Sequence, residues 1–207
     1  EQIRRALFSA LEPDAFAGLL TDDYAPANSL VPPCALVGQT PYHQLAQPQN
    51  PCPHDTEAAQ AYLTAGLLEE GLDRLPRTSV ILPENNTLQL VGGHLQQMWQ
   101  NELSLYFNLE PLPEEEFYAR LAAGDYQLAI LPVSCEDSSP AGVLGQFSGG
   151  EENLIRLESG ALDSALAGAA SASSENAAAA AYARAEEALI TGGLYPLAWQ
   201  TSYFLVD

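Results

Sequence analysis

Between Asn86 and Pro140 the apolar spacing of this chain switches from a helical period to a strand period and back, then repeats the switch. Leu88, Val91, Leu95, Met98 and Trp99 recur every three or four residues, which puts them on one face of a helix. Asn86 or Thr87 can cap its start through a side-chain oxygen. Leu105, Phe107 and Leu109 then alternate with Tyr106 and Asn108, a period of two that predicts a strand. Pro113 opens a second helix, with Glu114, Glu115 and Glu116 in the first turn, where the helix dipole favours negative charge, and Gly124 closes it. Tyr126–Leu131 is nearly all apolar, as a strand buried on both faces of a sheet would be. A polar loop follows at that strand's carboxyl end, where open α/β sheets bind ligands.

The alternation begins further upstream. Asp55 caps a helix that turns Ala58, Ala61, Tyr62, Ala65 and Leu68 inward, and Thr78–Leu82, flanked by Pro76 and Pro83, reads as a strand. Helices and strands alternating from Asp55 to Leu131 predict an α/β domain, with a mixed sheet of about five strands flanked by helices on both sides. Short helices are expected over Glu1–Leu11 and Asp14–Leu20, and one or two helical turns over Ala141–Phe147. The Ala-rich stretches around Leu162 and over Glu175–Ile190 predict two further helices joined by a Ser/Ala link. Cys34 to Asp55 is rich in Pro, Gln and Asn, shows no period, and reads as a long loop.

Helix, strand, RLAAGDYQLAI, polar loop and proline, in that order, resemble the C-terminal lobe of the family 5 extracellular solute-binding proteins. These are the oligopeptide-, dipeptide- and nickel-binding receptors of ABC importers. The family writes Met-Trp near a helix end, a strand, Ser/Ala-Gly-Asp-Tyr-Asp-Leu-Ala, then Trp, two residues, Asp-Tyr, two residues and Pro. Met98, Trp99, Gly124, Asp125, Tyr126, Leu128, Ala129 and Pro140 fall on that pattern without a gap. Val133 stands where the Trp would be, Glu136 for the Asp and Asp137 for the Tyr, so the departures bear on the ligand rather than the fold. Arg5, Ala6, Leu7, Ala10 and Leu11 resemble the family's R-x-A-L-x-x-A-I-D-R segment, with Glu12-Pro13 in place of its Asp-Arg. Ala27–Pro33 looks like its P-A-x-x-L-V-P-P loop, which lies near the cleft between lobes. Leu162, Asp163, Leu166 and Ala169 match a further helix.

The resemblance implies a single lobe of a two-lobed periplasmic-binding-protein type II fold, spanning residues 1–207 with a loop-rich insert at 32–54. It implies a binding module without catalysis or cofactor, which delivers peptides or similar small solutes to an ABC transporter permease. Its other partner would be an N-terminal lobe of the same protein. Its place would be outside the cytoplasm, at a cell surface or in a periplasm, lipid-anchored in the full-length protein. In peptide-binding members the Asp at the position of Glu136 pairs with the ligand's α-ammonium. Glu136 keeps the carboxylate one methylene further out, whereas Val133 removes a large apolar wall. Ligand contacts are accordingly expected from Glu136, Asp137, Cys135, Ser134, Val133 and Asn28, against the plainer reading that the two acids are solvated on a surface loop. A diverged ectodomain with a sensory or structural role and no transport ligand is the alternative.

Composition narrows the chemistry. A net charge of −20 over 207 residues speaks against nucleic acid and anionic lipid, both of which need clustered basic side chains. All seven basic residues are arginine, and the absence of lysine excludes Schiff-base catalysis and a P-loop. No apolar run approaches the roughly 20 residues that span a bilayer. With no signal peptide and no initiator Met, the chain reads as an excised piece of a larger protein. Cys34, His43, Cys52 and His54 share one segment; a Cys34–Cys52 disulfide, two thiols on a loose segment, and a zinc site whose spacing fits no common finger all remain open. His94 is expected to face solvent or cap a neighbour.

Overall fold

The computed structural model describes residues 1–200 apart from Gly18, 21–23, Cys135, Glu136, Ser138, 150–152, Leu154, Arg156 and Glu158, and only the backbone of Ala17 and Gln200. In chain order the helices are α1 (Gln2–Ser9), α2 (Pro13–Ala17), α3 (Tyr42–Ala46), α4 (Thr56–Glu69), α5 (Asn86–Leu103), α6 (Glu114–Ala123), α7 (Pro140–Gly145), α8 (Gly160–Ala170) and α9 (Glu175–Gly192). The strands are β1 (Tyr24–Pro26), β2 (Leu36–Val37), β3 (Thr40–Pro41), β4 (Thr78–Pro83), β5 (Phe107–Leu112), β6 (Leu128–Ala129) and β7 (Ala198–Gln200). They fall into two compact units. One takes Glu1–Pro26, Cys52–Pro132 and the returning stretch from Ala198; the other takes Ala27–Pro51 and Val133–Leu197.

The first unit is built on a parallel sheet in the order β5-β4-β6. Helices α5 and α6 make the two crossovers, which parallel neighbours require. β4 pairs with β5 from Thr78 opposite Phe107 to Pro83 opposite Leu112, and with β6 at Val80 and Ile81. The middle strand is therefore β4, whose Val80, Ile81 and Leu82 are buried. β6 is a two-residue edge with half-buried side chains, prolonged by a bond from Ile130 N–H to the Ile81 carbonyl at 2.9 Å. This corrects the reading of Tyr126–Leu131 as the strand buried on both faces. Among the described residues the antiparallel pairs, β1 with β7 and β2 with β3, stand apart from this sheet, so no mixed sheet of about five strands forms.

The caps explain the boundaries. Asn85, in extended backbone, accepts from Thr87 N–H at 2.9 Å and Leu88 N–H at 3.2 Å, so it starts α5 in place of Asn86 or Thr87. Gly124 ends α6 at φ 70°, the left-handed conformation a glycine adopts without strain. Phe117 and Leu121 of α6 pack on Ile81 and Leu112 of the sheet. Trp99 is buried on α5, donates from Nε1 to the Leu7 carbonyl at 2.9 Å, and meets the Phe107 ring edge-on at 4.8 Å. Asp55 caps α4 through Ala58 N–H, but the helix turns Ala59 and Gly66 inward, while Ala61 is exposed and Leu68 is 81 % exposed. The reason is close approach: α1 crosses α4 at Gly66, where any side chain would meet Ile3. His94 is only partly exposed and stacks edge-on with Phe16 at 5.3 Å.

In the second unit α8 and α9 pack along one another through Ala165, Ala169, Ala179, Ala181 and Ala185, small residues that let two helices approach closely. Val31, Tyr42, Leu144, Phe147, Leu162 and Leu189 complete this core, all but fully buried. The segment read as a long loop after Cys34 is partly ordered: β2 and β3 form a hairpin around Gly38 at φ 64°, and α3 follows at once. Strands of two residues carry no readable period, so Gly38 was the only available signal. Tyr42 at the start of α3 is wholly buried, which fixes the segment to the core.

Candidate functional site

Two stretches of the second unit carry the residues singled out for ligand contact: the loop around Asn28 and the loop from Val133 to Ser139. Helix α9 braces the first of them. In the first loop Ala27 and Ser29 are buried on either side of an exposed Asn28. Ala27 N–H donates to the Leu197 carbonyl at 3.1 Å. The Ser29 hydroxyl folds back onto Val31, accepting from its N–H at 3.2 Å and donating to its carbonyl at 3.1 Å. That carbonyl also accepts from His43 Nε2 at 2.7 Å. Leu30 N–H donates to Glu186 Oε1, and the Tyr42 hydroxyl donates to Glu186 Oε2 at 2.9 Å. Glu186 is 3 % exposed, so both carboxylate oxygens are met by protein donors where water is excluded. Burial, followed by the Glu186 charge, pushes the Tyr42 phenol far above its ordinary range.

In the second loop Val133 is 44 % exposed and Ser134 and Asp137 are exposed. Asp137 is engaged by its own chain: Oδ1 accepts from Ser139 N–H at 2.9 Å and Oδ2 from the Ser139 hydroxyl at 2.8 Å. These two bonds hold its carboxyl below the usual range. Ser139 in turn caps α7, accepting from Gly142 N–H at 3.1 Å. Any side chain at residue 142 would run into the Asp137 carbonyl, so Gly142 is required by this close approach. Tyr182 on α9 lies within reach of the Asp137 charge; burial and then that charge raise its phenol. Cys135 and Glu136 lie outside the described residues.

At the other end of α9, Glu175 braces the hairpin. Its carboxylate accepts from Gln39 N–H at 3.1 Å and the Thr40 hydroxyl at 2.7 Å, which lowers its pKa. The sequence reading missed Glu175, Tyr182 and Glu186 as organising residues. A signal was present for Glu186: it sits one turn after Tyr182 and one before Ile190, on the apolar side of its helix.

Cys34 is an exposed thiol and Cys52 a buried one, and no disulfide joins them. Among the described residues no three His, Cys, Asp or Glu side chains gather as a metal ion would need. In the first unit an open depression lies at the amino ends of β4 and β6, lined by Ser79, Arg120, Asp125 and Tyr126. Arg120 there is already matched, by Glu110 at 2.7 Å and Asp125 at 3.6 Å. This depression contains none of the residues expected to touch a ligand. Among the described residues no helix is long and apolar enough to cross a membrane.

No family profile and no curated protein sequence matches this chain. Solved structures do. The chain is similar to a peptide-binding protein of a peptide ABC transporter, with a TM-score of 0.83 at 21% identity, over 97% of this chain and 91% of that one. It is similar to Listeria monocytogenes OppA bound to peptide, with a TM-score of 0.80 at 20% identity, over 95% of this chain and 38% of that one. Haemophilus influenzae OppA in complex with the peptide RPPGFSPFR gives a TM-score of 0.80 at 21% identity, over 95% and 39%. The chain thus spans nearly all of the first protein but about two-fifths of each OppA. At these identities the likeness establishes the fold, an α/β lobe of the periplasmic-binding-protein type II kind.

Proposed function

We propose that this chain is the C-terminal, ligand-facing lobe of a non-catalytic receptor that captures peptides or similar small solutes outside the cytoplasm. The observation that carries the proposal is the structural match of nearly all of this chain to proteins whose names state peptide binding or a bound peptide. Partial sequence agreement at Met98-Trp99, Gly124-Asp125-Tyr126 and Leu128-Ala129 supports it. In this reading a second lobe supplies the other half of the site, a hinge closes the two over the ligand, and an ABC permease receives it. A lipid anchor on the longer protein belongs to the same proposal. The ligand side of this lobe is the 133–139 loop together with the Asn28 loop. Glu136 pairs with a ligand ammonium, and Ser134, Cys135 and Asp137 flank it. Val133 leaves a roomier wall than the family's Trp.

The test is Glu136→Gln, which keeps size and removes charge. Truncating one partner of an ion pair in a closed, desolvated cleft costs roughly 2–5 kcal/mol. Peptides with a free amino terminus should therefore bind the variant at least about tenfold more weakly. N-acetylated analogues should bind both proteins alike. Equal binding of the free-amino peptide refutes the role of Glu136. Failure of the unaltered receptor to bind any peptide favours the second reading, a diverged ectodomain, for which the loss of the aromatic wall at Val133 speaks.

A further inference from the structure

Asn28 is a solvent-facing side chain between two immobilised neighbours, and the tie holding its loop comes from far along the chain. Ser29 is buried and spends its hydroxyl on Val31. The Val31 carbonyl is taken by His43 on α3. The Leu30 amide is taken by Glu186 on α9, whose other oxygen is taken by Tyr42 on α3. A buried carboxylate in an apolar helix stripe is unfavourable unless every oxygen is satisfied, and here the satisfying groups are loop backbone and a buried phenol.

We propose that Glu186 is a positioning residue for ligand binding: without touching ligand, it fixes the Leu30 amide and so presents Asn28 to the cleft. The proposal rests on the peptide-receptor reading for its functional half and on geometry alone for its structural half. Tyr42 belongs to the device because it occupies the second oxygen and keeps the carboxylate turned towards the loop.

Amide hydrogen exchange tests the structural half on this chain directly. Glu186→Gln retains an oxygen for Leu30 N–H, and Leu30 should stay protected. Glu186→Met combined with Tyr42→Phe fills the same space with no acceptor and no stranded phenol. Leu30 should then exchange at least about tenfold faster, with amides in the middle of α9 unchanged. Should that variant not fold, Glu186→Asp, one methylene short of the loop, carries the same test. Equal Leu30 exchange in all variants overturns the proposal. For the functional half, the intact receptor is titrated with a pool of short peptides bearing free amino termini. The Met/Phe variant should bind at least about tenfold more weakly, and Glu186→Gln close to wild type. Leu121→Ala, a core truncation in the separate cluster of Ile81, Leu112 and Phe117 in the first unit, should lower the melting temperature and leave affinity unchanged. Peptide affinity that follows melting temperature across all variants, rather than Leu30 exchange, overturns the positioning role. If the unaltered receptor binds no peptide, the peptide reading fails, and exchange at Leu30 alone decides the tether.

Discussion

Two glycines inside helices of the first unit should answer alanine with opposite signs. Glycine in a helix interior costs about 0.5–1 kcal/mol relative to alanine, through lost backbone entropy and exposed peptide groups. At Gly93 of α5 a Cβ would have no atom within 4 Å, so Gly93→Ala should stabilise by about that amount. At Gly66 of α4 a Cβ would lie 2.7 Å from Ile3 Cγ1, 2.9 Å from the Ile3 backbone nitrogen and 3.1 Å from Gln2 Cβ. The Ile3 side chain can swing away, but its backbone nitrogen belongs to α1 and cannot retreat unless the helix moves. Forced separation of packed elements costs typically 1–3 kcal/mol, which outweighs the propensity gain and leaves Gly66→Ala destabilised by about 0.5–2 kcal/mol. Gly92 falls between: its Cβ would stand 3.3 Å from the flexible ends of Ile130 and Leu109, which can yield. Urea unfolding followed by tryptophan fluorescence isolates the effect, because both tryptophans, Trp99 and Trp199, belong to this unit. The two variants should separate by about 1–3 kcal/mol, or several degrees in Tm. If Gly66→Ala gains as much as Gly93→Ala, α1 does not cross α4 at this point.

Glu175 should titrate below the ordinary glutamate range, because Thr40 and Gln39 donate to its ionised form. Its folded pKa is the lower one, so the hairpin tie is fully present above the ordinary range and is lost as pH falls through the lowered value. By NMR, Thr40→Val should move the Glu175 titration back up; an unmoved titration would refute the tie. Native-state alkylation should label Cys34 at least about tenfold faster than Cys52, which is buried and whose thiol burial pushes up against the opposing pull of Arg5. Recovering a Cys34–Cys52 cross-linked peptide from an unreduced digest would contradict the structure.

What was legible in the chain was what local rules decide. Helix α6 could be placed within a residue because Pro113, the acidic turn and Gly124 each mark it independently. The resemblance supplied the lobe, since glycine caps and buried aromatics keep their places when surfaces diverge. The β5 strand slipped by two residues for an identifiable reason. Ser104 takes a left-handed conformation at φ 55° and Leu105 N–H bonds back to the Trp99 carbonyl at 3.2 Å. That helix ending consumes Leu105 and Tyr106, although their alternation with Phe107 already imitates a strand. The error over β6 arose differently: an apolar run states that a segment is buried, not that it lies in the middle of a sheet, and the middle belongs to β4.

The candidate site divides along the same line. The 133–139 loop is a candidate because the resemblance's motif runs through it, and Asn28 because its loop resembles a pattern of its own. Glu186 has neither, since its partners Leu30 and Tyr42 lie 156 and 144 residues away and no window of sequence contains both ends of such a bond. Yet the helix does betray it. Ala178, Ala181, Tyr182, Ala185 and Leu189 form one packed face, and Glu186 falls within that face rather than opposite it. A carboxylate there contradicts the burial pattern unless something distant answers it. Such a contradiction, more than any charged surface run, is where a sequence points to a tertiary tie. The exposed acids Glu114–Glu116 obey every local rule; Glu186, the buried acid among the described residues, breaks it and joins a loop to the core.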